Sequence, residues 1–152
     1  MSDYQLLQNQ LKGFTDVEPY FVSVMSNAAA LLWEGLEDIN WAGFYIVRDN
    51  RLVLGPFQGK TACIRIDYGK GVCGTAWEKD EVMVVPDVHE FPGHIACDSA
   101  SRSEIVVPIH NAGRVVAVLD IDSPKMGRFS DADKAGLMEF AEVIEDKVEW
   151  EG

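Results

Sequence analysis

The stretch "SEIVVPIHNAGRVVAVLDIDSP", residues 103–124, reads as two apolar strands folded back on each other around a turn. Asn111, Ala112 and Gly113 suit a three-residue hairpin loop, a type I turn that ends with Gly113 in the left-handed region. That loop predicts His110 opposite Arg114 and, counting back, Glu104 opposite Asp120. Side chains alternate along a strand, so Glu104, Asp120 and Asp122 share one face while Leu119 and Ile121 point to the other. A two-residue turn would slip the register by one and disperse the acids.

Like charges facing each other across strands cost stability. Two readings of the patch stand side by side. It is an exposed acidic rim, or it is a pocket for a cationic ligand in which mutual repulsion raises at least one pKa and keeps a proton available.

Outward from the hairpin, "NWAGFYIVRDNRLVLGPF" (40–57) predicts a strand, a tight Asp49-Asn50 turn and a second strand, and "TACIRID" (61–67) alternates like a third. On the first of these, Trp41, Gly43 and Tyr45 share a face. The glycine leaves a gap between two aromatics that a small group could fill, although core packing is the commoner explanation of aromatic strand residues. "GVCGTAWEKD" (71–80) predicts a short helix, "EVMVVPD" (81–87) a strand stopped at Pro86, and residues 86–102 a long loop. Helices are expected over residues 3–12, over 18–36 with Pro19 near the first turn, and after a cap at Ser130 or Asp131. Helices at both ends with adjacent strands between them give an α+β class, an antiparallel sheet with the N- and C-terminal helices on one face. Residues 1–152 are expected to form a single domain.

Composition narrows the function classes. Hydrophobic residues make up 47% and charged residues 25% of the 152, ordinary values for a soluble globular chain. A formal net charge of -12 argues against nucleic acid and anionic membrane as partners, since both require a basic footprint. The N-terminal residues read as an amphipathic helix rather than a secretory signal, so a cytoplasmic location is expected.

Cys63, Cys73 and Cys97 are three thiols in such a chain, where stable structural disulfides are rare. Burial as small hydrophobes accounts well for Cys63 and Cys73. Cys97 lies in a polar loop near Arg102, which favours its thiolate. A zinc site from the three cysteines with His89 or His94 lacks any C-x2-C pair. "GPFQGKT" lacks the first glycine of a phosphate loop, and the three histidines show no hydrolase-triad spacing.

Together, "NWAGFYIV", "LGPFQGKTACIRIDYGKGVCGTA", "HIACDSASRSEIVVPI" and "VLDIDSP" resemble the signatures of the free methionine-(R)-sulfoxide reductases, enzymes with a GAF fold. The resemblance implies a six-stranded antiparallel GAF sheet and reduction of free methionine-R-sulfoxide to methionine, with no cofactor. It implies Cys97 as the attacking thiol, Cys63 as the resolving one and Cys73 as an auxiliary thiol. Glu104, Asp120 and Asp122 become catalytic and substrate-binding acids, and Trp41 and Tyr45 line the substrate pocket. A homodimer recycled by thioredoxin is implied as well. The alternative from a different class is a GAF module that binds a small molecule without turnover.

Overall fold

The computed structural model describes residues 3–93 and 100–150. In chain order the elements are α1 (Tyr4–Val17), α2 (Phe21–Gly35), β1 (Trp41–Arg48), β2 (Arg51–Gly59), β3 (Arg65–Asp67), α3 (Gly71–Lys79), β4 (Met83–Val85), β5 (Ser103–Asn111), β6 (Arg114–Ser123) and α4 (Asp131–Lys147). A 3-10 turn, Val88–Glu90, follows β4. The six strands form one antiparallel sheet in the order β3-β2-β1-β6-β5-β4. Among the described residues no helix is long and apolar enough to cross a membrane.

Alternation divides the sheet into two chemical faces. Ala42, Phe44, Ile105, Val107, Leu119 and Ile121 point to one side, where Leu7 and Leu11 of α1, Met25, Ala29 and Leu32 of α2, and Leu137, Phe140 and Ile144 of α4 close a core around them. The i, i+3, i+4 spacing of those helical residues gives each helix an apolar stripe, which α2 and α4 turn towards the sheet and α1 turns towards α2 and α4. α1 and α4 approach closely because Gly136 lies under the Tyr4 ring. A Cβ at Gly136 would sit 2.3 Å from Tyr4 Cγ, and Tyr4 Oη donates to Asp133 Oδ1 at 2.6 Å. Asp133 also completes a capping box with Ser130, which starts α4 at Asp131.

The opposite face carries Trp41, Tyr45, Val106 and Val118, and α3 packs there through Val72, Cys73 and Ala76. The sequence placed the terminal helices on one face, and that holds. The short α3 takes the other face and builds a second, smaller core beside the acids.

Three local expectations are corrected. The segment 61–67 is a strand only over Arg65–Asp67, because the Cys63 carbonyl is taken by the Tyr45 hydroxyl at 2.9 Å rather than by a neighbouring strand. The second helix starts at Phe21 rather than at residue 18, with Pro19 just ahead of the Tyr20 cap and so still beside the first turn.

The third correction concerns the β5–β6 hairpin. Ala112 and Gly113 both adopt positive φ, 54° and 78°, so the turn has two residues, with Asn111 paired to Arg114. A bulge between Ile109 and His110 on the pairing ladder, with Val116 as the additional residue of β6, shifts the register once more. The result pairs Glu104 with Asp122 and Val106 with Asp120, in place of the expected Glu104–Asp120 pair. Turn and bulge together displace the register by an even number, so the faces are preserved.

Candidate active site

The site is assembled by register across three strands. β1 pairs with β6 so that Trp41 meets Asp122 and Gly43 meets Asp120, while β5 presents Glu104 to Asp122. One cleft is therefore lined by Trp41, Tyr45, Glu104, Asp120 and Asp122 from the sheet. Lys70, Gly71, Val72 and Cys73 at the start of α3 form its other wall. Five sheet residues named from sequence and Cys73 thus come together.

Gly43 does not leave the expected gap. A Cβ there would fall 2.3 Å from Phe57 Cβ, so β2 already occupies that space. Phe57 is the aromatic that the sequence reading missed. Its ring stacks on Trp41 at 5.1 Å between centroids and 15° between planes, and Trp41 in turn stacks near Tyr45 at 5.9 Å. The irregularity in β1–β2 pairing at Gly43 is the feature that brings Phe57 across, and pattern alone does not announce it. Trp41 is fixed by its indole N–H, which donates to the Lys60 carbonyl at 3.0 Å.

Burial makes the acids unusual. Glu104 is 7% exposed and Asp120 5%, so the reading of a solvated rim is excluded for these two. Loss of solvent, followed by the charges of Asp120 and Asp122, pushes the Glu104 carboxyl well above the usual carboxylate range. Hydrogen bonds from its protonated form to Asp120 and Asp122 act in the same direction. Glu104 is a carboxylic acid held neutral beside its neighbours. Tyr45 is likewise pushed up, first by burial and then by Asp120, which keeps its hydroxyl a donor.

Of the thiols, Cys73 is free and buried, with Sγ 4.0 Å from Glu104 Oε2. Burial, then Asp120 and Glu104, raise its pKa well above the ordinary thiol value, which makes it a poor nucleophile. Cys63 is disulfide-bonded. Its sulfur is therefore no thiolate ligand in this state, which removes it from the four-residue zinc set weighed on sequence. Cys97 and His94 lie outside the described residues. Cys73, Glu104 and Asp120 do offer ligand atoms within 4.8 Å of one another. His110 is held between Asp80 and Glu145, at 2.5 Å each, outside the residues that line the cleft.

Comparison with known proteins places this geometry. A GAF domain family model matches residues 23–149. The free methionine-R-sulfoxide reductase of Escherichia coli is 54% identical over 128 residues, covering 84% of this chain and 78% of that protein. Protein YtsP of Bacillus subtilis is 53% identical over 145 residues, covering 94% and 89%. The solved structure of free methionine-R-sulfoxide reductase from Neisseria meningitidis in complex with its substrate superposes with a TM-score of 0.92 at 43% identity, covering 97% of this chain and 91% of that one. Over nearly its whole length, then, this chain belongs to the GAF-domain family and, within it, to the free methionine-R-sulfoxide reductases.

Proposed function

We propose that this protein reduces free L-methionine-(R)-sulfoxide to methionine with Cys97 as nucleophile, Glu104 as proton donor and Cys63 as resolving thiol. The observation that carries this reading is the buried, neutral Glu104 set against two further carboxylates in one cleft. A sulfoxide is a weak electrophile until its oxygen is protonated, and an acid with a raised pKa supplies that proton near neutral pH.

Attack by the Cys97 sulfur on the sulfoxide sulfur transfers the oxygen. Methionine leaves, and Cys97 becomes a sulfenic acid. Condensation with Cys63 forms the disulfide and releases water. The disulfide at Cys63, together with the free thiol at Cys73, supports Cys63 over Cys73 in this role. A dithiol reductant, thioredoxin by family likeness, returns two electrons and two protons to close the cycle.

Specificity for the free amino acid follows from the two walls of the cleft. The charge remaining on Asp120 and Asp122 suits the substrate ammonium. Lys70 and the first N–H groups of α3 line the other side and suit its carboxylate. Peptide-bound methionine has neither charge. Trp41 and Tyr45 then enclose the methyl and sulfur, where contacts with aromatic rings are favourable.

The test is to mix reduced protein with free methionine-R-sulfoxide and no other reductant, then count methionine and thiols. About one methionine per chain and the loss of two thiols are expected from the condensation chemistry. Absence of methionine would refute the activity, and a Cys97→Ser variant that still made it would refute the nucleophile.

A further inference from the structure

The segment around Cys63 differs in charge from the rest of the molecule. Between residues 51 and 70 the cations Arg51, Lys60, Arg65 and Lys70 face one acid, Asp67, in a chain of 13 cations and 25 acids. Asp67 is itself engaged by Arg51 at 3.1 Å. Lys60 and Arg65 are exposed on either side of Cys63, and Ile64, directly after it, is 64% exposed. An isoleucine in water beside a disulfide contributes nothing to either core.

The backbone beneath these side chains is held in place. The Lys60 carbonyl accepts from Trp41, the Cys63 carbonyl from Tyr45, and the Ile64 carbonyl from Leu54 N–H at 2.8 Å. The following strand, β3, is the outer edge of the sheet, so this segment lies along a border with no further strand beyond it. Fixed carbonyls, an apolar knob and flanking cations make a rigid, basic rim beside the bonded sulfur.

We propose that Lys60, Ile64 and Arg65 form the docking surface for an acidic dithiol protein of the thioredoxin type, and that Cys63 is the sulfur it attacks. This rests on the redox cycle proposed above. The charge of the rim is opposite to that of the chain as a whole, so it draws an acidic partner to this border while the remaining surface repels it. The partner's thiolate attacks Cys63 Sγ, and the other sulfur of the disulfide leaves as a thiolate and is protonated. The partner's second thiol then attacks its own first sulfur and releases Cys63 as a thiolate. The partner ends as a disulfide, and two electrons have passed to this chain.

Turnover is to be measured with thioredoxin and, separately, with dithiothreitol, for the wild-type protein, Ile64→Asp and the double variant Lys60→Glu with Arg65→Glu. The KM for thioredoxin is expected to rise about tenfold in each variant, with dithiothreitol-supported turnover at the wild-type rate. Added salt should lower kcat/KM for thioredoxin in the wild type and have less effect in the double variant. An unchanged KM in both variants overturns the docking surface. Failure of the wild type with dithiothreitol would instead overturn the reductase reading. Thioredoxin with its second cysteine changed to serine should be trapped on Cys63 by peptide mapping, and trapping on Cys97 overturns the assignment of the attacked sulfur.

Discussion

Glu104 on β5 and Asp122 on β6 face each other as direct partners across adjacent strands, with Asp120 one pair further along the same face. Strand pairing ordinarily disfavours such a pair. Here the site keeps Glu104 protonated, because ionisation would place a third charge in a cleft from which water is largely removed.

Glu104→Gln should therefore lower activity and raise stability. Loss of the proposed proton donor is expected to reduce kcat by about 100-fold or more. A group whose folded pKa is raised contributes stability that is complete below its unfolded pKa, near 4.5, and that disappears as pH rises through the folded pKa. The glutamine is free of that loss. The Tm advantage of the variant should thus be absent near pH 4 and grow towards neutral pH, at about 2–4 °C for each kcal/mol. Thermal melts of both proteins across that range check it, and a variant less stable at pH 7 than at pH 4 relative to wild type would contradict it.

Gly43→Ala tests the packing behind the aromatic wall. The new Cβ would meet Phe57 Cβ at 2.3 Å and Phe57 Cα at 2.8 Å, and backbone cannot move as a flexible side chain does. A destabilisation of about 1–3 kcal/mol is expected, with a higher KM as Phe57 is pushed off Trp41. Urea unfolding and steady-state kinetics measure the two effects separately.

The faces of the sheet were legible in sequence, since they depend only on alternation. Leu119 and Ile121 point to the helices, and Glu104, Asp120 and Asp122 to the cleft, as expected. Partner identity was not legible. It depended on Ala112 adopting positive φ, which costs an L-residue about 1–2 kcal/mol and has no sequence signal, and on the additional residue Val116. Two departures of one residue each acted in the same direction, so the acids stayed together although their pairing changed. Phe57 was hidden for a related reason: its place beside Trp41 comes from an irregular pairing at Gly43, not from its own strand pattern. The roles proposed for Cys63 and Cys97 rest on resemblance, because no local rule distinguishes a resolving thiol from a buried one.

Cys73 should be chemically silent in the oxidised protein. Among the described residues it is the free thiol, 4% exposed and pushed up by burial and by the neighbouring acids. Reaction with a thiol reagent is expected to be at least 100-fold slower than for a free cysteine at pH 8, and to become rapid on addition of denaturant. Peptide mapping should place the label on Cys73. Reaction at the ordinary rate in the native state would contradict the burial argument.

His110 gives a pH dependence that arises outside the cleft lining. Its Nε2 meets Asp80, the left-handed cap that ends α3, and its Nδ1 meets Glu145 on α4, so one imidazole ties both helices to β5. Partial burial alone would lower its pKa, but the hydrogen bonds and charges of the two carboxylates outweigh that and raise it above 6.5. A raised folded pKa means that the stabilisation is fully present below pH 6.5 and is lost as pH climbs through the folded value. His110→Gln should thus reduce the Tm most at about pH 6, while the two proteins converge at alkaline pH. Both contacts are partly solvated, so added salt should also shrink the difference. A deficit independent of pH would mean that His110 acts by packing alone, and NMR titration of the imidazole would then show an unshifted pKa.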